Sequence, residues 1–260
     1  MRLRPVATAL AALLLLGCGA DGDDRDAAPV TVAAASDLRL AFEELGERFT
    51  AETGTEVTFS FGSSGQLREQ IINGAPFDVF ASANVDFVDA VIESGRGRAD
   101  TKADYGFGRI VLWAPPGVEL PDDVAGLADP SFRRIAVANP EHAPYGVAAV
   151  QALEAAGIRD AVEDRLVYGE NISDTLRIAQ SGNADVGIVA LSLVIADDDA
   201  EYVLVPEDLH DPLRQALVVT ASGDAVEPAT AFAEFVGSPA GREVMVAYGF
   251  VLPGEALRSG

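Results

Sequence analysis

The chain has 260 residues, about half of them apolar, enough for a core in one large domain or in two lobes. Its formal charge is −23, from 18 basic against 41 acidic residues, which argues against a nucleic-acid partner because phosphate backbones need basic patches. The same charge sets any anionic ligand against a repulsive background.

The N-terminus reads as separate from the fold. Arg2 and Arg4 form a basic head, and Val6 to Leu16 is an apolar run, unbroken from Leu13 to Leu16. That run is too short to span a bilayer as a mature helix, and residues 1–17 have the pattern of a bacterial export signal. It ends in "LLGC", residues 15–18, which is similar to a lipobox, where the peptide is cut before the cysteine and the thiol takes a lipid. The plainer alternative is a signal peptide with a stray cysteine. Cys18 is the chain's only cysteine, so its lipidation leaves no disulfide and no metal–thiolate chemistry. Residues 18–29 are small and acidic and lack apolar periodicity, as a flexible tether would.

From residue 30 the pattern alternates strand and helix. "PVTVAAA" is a short apolar strand. Leu38, Phe42, Leu45 and Phe49 then recur at spacings of four, three and four, one face of a helix that Gly54 stops. "TEVTFSF" alternates like a strand, and "GSSGQLREQIINGAP" opens with a loop and turns helical at about Ser64. "FDVFASA" is a strand and "NVDFVDAVIESG" a helix. Further on, "GRIVLWAP" and "RRIAVANP" are strands, "YGVAAVQALEAAG" and "ISDTLRIAQSG" helices, and "ADVGIVA" and "LRQALVVTA" strands. The C-terminal stretch 228–250 reads as two helices broken at Gly237 to Pro239. Repeated βα units predict an α/β fold with mostly parallel sheets flanked by helices. Two lobes are expected, 30–107 plus 217–260 and 108–216, with hinges near 108–114 and 215–221.

Ligands in open α/β sheets sit beyond the C-terminal ends of the strands, where helices begin. Four such places stand out: Ser36, "GSSG" at 62–65, "PEHAPYG" at 140–146, and "GENISD" at 169–174. Each offers free backbone N–H groups and the positive end of a helix dipole, a ready anion site without formal charge. Each of these Ser, Asp and Asn residues taken singly is also an ordinary N-cap. Catalysis has little support, and the chain reads as a non-enzyme. A serine nucleophile needs a base, and only His142 and His210 exist, the first reading as a loop-fixing residue and the second as a surface turn. "GSSG" is one residue short of the G-x-S-x-G elbow, "GFG" at 106–108 lacks the third glycine of a dinucleotide loop, and no P-loop or H-E-x-x-H occurs.

Taken in order, "TVAAASDL", "FSFGSSGQL", "FDVFASAN", "NPEHAPYG", "ADVGIVALS" and "FVGSPAGREVMVAYGF" resemble the periplasmic molybdate-binding proteins, the substrate-binding components of molybdate ABC transporters. The resemblance covers about residues 30 to 252. It implies a type II two-lobed clamshell that encloses molybdate or tungstate without cofactor or metal ligation. It also implies a monomer that delivers the anion to a membrane permease. Carried over residue by residue, Ser36 and Ser64 donate hydroxyl and backbone N–H groups, and Tyr145 and Ile172 donate backbone N–H groups. Ser63 and the backbone of Asp37 join the set. The family's tyrosine after "GIV" is Ala190 here, and the Tyr145 hydroxyl is the expected replacement. The Asp37 carboxylate would repel an anion, so it is expected to face away and cap the helix that begins near Leu38. Another oxyanion such as phosphate or sulfate, a small organic anion, and lastly a secreted hydrolase are the competing readings.

Overall fold

The computed structural model describes residues 29–223 and 225–255; the expected export signal, Cys18 and almost all of the expected tether lie outside them. The first elements are β1 (Val30–Ala35), α1 (Arg39–Thr53), β2 (Val57–Gly62), α2 (Ser64–Ile72), β3 (Val79–Ser82), α3 (Val85–Glu93) and β4 (Ala103–Gly108). The middle of the chain forms β5 (Ile110–Trp113), β6 (Ile135–Ala138), α4 (Pro144–Ala155), α5 (Arg159–Val162), β7 (Leu166–Gly169), α6 (Ile172–Gln180), β8 (Val186–Ala190) and β9 (Tyr202–Leu204). Then come β10 (Leu213–Val219), α7 (Val226–Gly237) and α8 (Pro239–Ala247).

The strands form two five-stranded sheets, ordered β2-β1-β3-β10-β4 and β7-β6-β8-β5-β9. The two orders have the same plan. Three strands lie parallel, the fourth position runs against both neighbours, and the edge strand returns to the common direction. The antiparallel strands, β10 and β5, are those that follow the chain's two passages between sheets. The expected α/β two-lobed fold is therefore what forms, but each sheet is mixed, because its antiparallel strand makes half of the pairings antiparallel.

Central strands of such sheets are buried on both faces, so they read as continuous apolar runs. In β1, Val30, Val32 and Ala34 pack into one core, while Ala33 packs into another with Phe80 and Val218. Edge strand β2 instead alternates between half-buried and exposed residues. Leu38, Phe42, Leu45 and Phe49 are all buried, as their helical spacing predicts. Phe42 and Phe49 meet Phe232 of α7 edge-on, with centroids 6.1 and 5.4 Å apart, which ties the C-terminal helices to the first sheet. Gly54 closes α1 in the left-handed region at φ +77°.

Strands β4, β7 and β9 carry no signal in the sequence reading. β4 contains Gly106 and Gly108, β7 is a four-residue segment ending in glycine, and β9 has three residues. They are too short or too glycine-rich to show a period, and pairing with an existing neighbour is what makes them strands.

Candidate functional site

The four helix starts and strand ends singled out above converge. The 3-10 turn Ser36–Leu38 after β1, the start of α2 after β2, the start of α4 after β6 and the start of α6 after β7 surround one small cavity. Ser36, Asp37, Ser63, Ser64, Tyr145 and Ile172 all line it, and all six are buried.

Apart from the Asp37 carboxylate, the groups singled out on the wall can donate. Ser36 Oγ accepts from the Ser173 N–H at 3.3 Å, and Ser64 Oγ accepts from the Ala83 N–H at 3.0 Å. In both bonds the serine is the acceptor, so neither bond uses the hydroxyl hydrogen. The N–H groups of Tyr145 and Ile172 lie in the first turns of α4 and α6, where no helical carbonyl can satisfy them. An acceptor-only oxyanion is matched by such a set without any formal charge. Among the described residues, no three or more His, Cys, Asp or Glu group together in a way that could hold a metal ion.

Ser63 plays a different part. Its hydroxyl donates to the His142 carbonyl at 2.6 Å, and the Gly65 N–H donates to the same oxygen at 3.0 Å. His142 Nδ1 lies 2.9 Å from Ser63 Oγ. Because the hydroxyl's one hydrogen goes to the carbonyl, that ring nitrogen must be the donor. His142 is thus the loop-fixing residue expected, and the arrangement gives Ser63 no base to take its proton. Other bonds also join elements of the two sheets. Ser173 Oγ donates to the Ser36 carbonyl at 2.9 Å, Ser192 Oγ to the Asp37 carbonyl at 2.7 Å, and Gln66 Nε2 to Glu170 Oε2 at 3.2 Å.

Two expectations need correction. The Asp37 carboxylate caps no helix: neither the 3-10 turn nor α1 has a side-chain cap. It is buried instead, with Oδ2 accepting from the Tyr145 hydroxyl at 3.0 Å and from Gln215 Nε2 at 2.9 Å. Gln215 Nε2 also donates to the Tyr145 hydroxyl at 3.1 Å. The Tyr145 hydroxyl is therefore committed to Asp37 and is not free to replace the donor missing at Ala190. Both misreadings have one cause. Gln215, fully buried in β10, supplies a long-range partner that no local pattern at Asp37 announces. Gly108 completes the cluster, because a Cβ there would overlap the Tyr145 hydroxyl and lie 2.6 Å from Gln215 Nε2.

Asp37 Oδ1 and Gln215 Oε1 are buried without hydrogen-bond partners. Burial pushes the Asp37 carboxyl up to about 6, against the smaller opposing pull of its bonds to Gln215 and Tyr145. Burial, reinforced by the Asp37 charge, holds the phenols of Tyr105 and Tyr145 well above their ordinary value.

Residues 30–251 match the family model of bacterial extracellular solute-binding proteins. The chain is 35% identical to the molybdate-binding protein ModA of Rhodobacter capsulatus, over 96% of each chain. It is 27% identical to a putative ABC transporter substrate-binding lipoprotein of Bacillus subtilis, over 94% of this chain and 96% of that one. Among solved structures, the periplasmic molybdate-binding protein of Azotobacter vinelandii superposes with a TM-score of 0.81 at 32% identity. That match covers 86% of this chain and 99% of the other.

Proposed function

This chain belongs to the bacterial extracellular solute-binding proteins, in the group of the molybdate-binding proteins, and we propose that it encloses molybdate or tungstate between its lobes and delivers it to an ABC permease. It is a binding protein rather than an enzyme and needs no cofactor. The observation that carries the proposal is that two serines whose hydroxyl hydrogens no protein group takes, and two helix starts with first-turn N–H groups, line one small cavity. In this reading Ser36 and Ser64 donate hydroxyl and backbone groups, and Tyr145 and Ile172 donate backbone N–H groups. The backbone of Asp37 assists, and Ser63 holds the lobes together. Discrimination against sulfate comes from size, since a rigid set of donors leaves unmade bonds around a smaller anion, at about 1–3 kcal/mol each.

The lobes are taken as 30–107 plus 217–260 and 108–216. The pairing of β4 with β10 in one sheet and of β5 with β8 in the other supports that division to within a few residues. Contacts from both lobes favour the closed form, and only such differential contacts can drive closure. The "LLGC" motif at residues 15–18 supports export and a lipid anchor at Cys18 on the outer face of the cell membrane.

A thermal-shift panel tests the reading. Molybdate and tungstate are expected to raise Tm selectively, by an amount that grows with concentration over Kd. A second reading, hydrogen phosphate, draws on Asp37 Oδ1, a buried acceptor that could take a proton from a protonated ligand. Strong stabilisation by phosphate with none by molybdate would select it.

A further inference from the structure

We infer that Asp37 is the proton-binding group of the oxyanion site: its carboxylate is charged in the empty cleft and takes up one proton when a doubly charged oxyanion is enclosed beside it. This inference rests on the reading of the cavity as an oxyanion site.

The geometry gives three reasons. First, Asp37 is buried and lines the cavity itself, so it shares the low-dielectric space with the anion. Secondly, nothing offsets its charge. Tyr145 of α4 and Gln215 of β10 bond its carboxylate, and Ser192, just after β8, bonds its carbonyl. Tyr105 of β4 faces the cluster and donates to the Ser82 carbonyl at 3.0 Å. All four residues are neutral, and among the described residues no Arg, Lys or His bonds the carboxylate. The nearby His142 ring is turned to Ser63. Thirdly, the cluster is short of a donor. The Gln215 amide directs its nitrogen to both Asp37 Oδ2 and the Tyr145 hydroxyl, and that hydroxyl donates to the same Oδ2. Asp37 Oδ1 and Gln215 Oε1 are left as acceptors without partners. One proton on the carboxyl supplies the missing donor and removes the repulsion together.

The size of the coupling follows from charge and distance. At an effective dielectric of about 20, a dianion within about 10 Å of a carboxylate raises its proton affinity by more than one pKa unit. The empty-state carboxyl already sits near about 6. Binding at slightly alkaline pH therefore draws a proton from solution. Affinity is greatest below about pH 6 and falls, by up to about tenfold per pH unit, as pH rises towards the bound-state value.

The test is calorimetric titration of the purified protein with molybdate at about pH 7.5, in buffers of different ionisation enthalpy. The dependence of the heat on the buffer counts protons. The expected result is uptake of between about half and one proton per anion, an uptake that Asp37→Asn abolishes and His142→Gln retains. The wild-type count stands alone if Asp37→Asn fails to fold. Binding with no proton uptake, uptake that survives in Asp37→Asn, or uptake lost in His142→Gln would each overturn the inference while leaving the oxyanion site intact. Failure of the wild type to bind molybdate at any pH would remove the site reading, and the inference with it.

Discussion

A single residue carries much of the tension in this molecule. Asp37 is a buried carboxyl held up at about 6, against an ordinary value of 3.8. Its folded-state value lies above its unfolded one, so its favourable contribution is full below about pH 4 and is lost as pH rises through about 6. Asp37→Asn is therefore expected to stabilise the ligand-free protein at about pH 8, by at most about 3 kcal/mol, with the gain vanishing near about pH 4. Denaturant titrations at the two pH values check this, and equal gains at both would contradict it. Tyr145→Phe removes one donor from the buried carboxylate, so it should cost about 1–3 kcal/mol of stability. The anion would keep the Tyr145 backbone N–H, so its affinity should change far less than the stability does. Ser36→Ala and Ser64→Ala have the opposite profile: each deletes a hydroxyl hydrogen that no protein group uses, and each should weaken molybdate by about tenfold or more.

The elements show what local pattern can and cannot announce. The helix spacing from Leu38 to Phe49, the helix start at Ser64 and the break before Pro239 were all legible, because period and turn chemistry are short-range signals. So was the group of helix starts around the cavity, since strand ends and helix starts recur along the chain. Gln215, Gly108, Ser173 and Ser192 were not legible. Each matters through a partner more than 30 residues away, which no window of sequence displays. Gly65 is a case where helix propensity and closure pull apart. A Cβ there would lie 2.6 Å from the His142 carbonyl oxygen, backbone against side chain across the two sheets. Alanine is the better helix former by about 1 kcal/mol, so Gly65→Ala should not weaken α2 itself. It should oppose closure, and molybdate affinity should fall by about tenfold or more. Thermal unfolding without ligand and calorimetry with it separate the two effects; unchanged affinity would show that closure does not need this contact.

At the scale of the whole molecule, an anion is captured by a strongly anionic protein. The chain carries −23, so the distant field repels the ligand, while the cavity attracts it through N–H and hydroxyl groups that act only within hydrogen-bond reach. A local funnel would need uncompensated cations beside the cleft. Arg39 and Arg177 line a groove there, near the contact of Ser36 with Ser173. Arg39 lies 3.6 Å from Glu43, and Arg177 lies 2.5 Å from Asp174, so each is partnered by an acid. The long-range repulsion should then dominate the approach, and salt should relieve it. The Debye length falls from about 30 Å at 0.01 M to about 8 Å at 0.15 M, so most of the protein's charge drops out of the ligand's view. The association rate for molybdate is expected to rise across that range, whereas dissociation, set by short bonds inside the closed cavity, should change little. This is opposite to the usual steering of a ligand towards complementary charge. Stopped-flow fluorescence using Trp113, the chain's one tryptophan, or a competition assay in the same mixing device, reads both rates. An association rate that falls with salt would mean that the two arginines outweigh the total charge, and Arg39→Gln and Arg177→Gln would then show which of them does so.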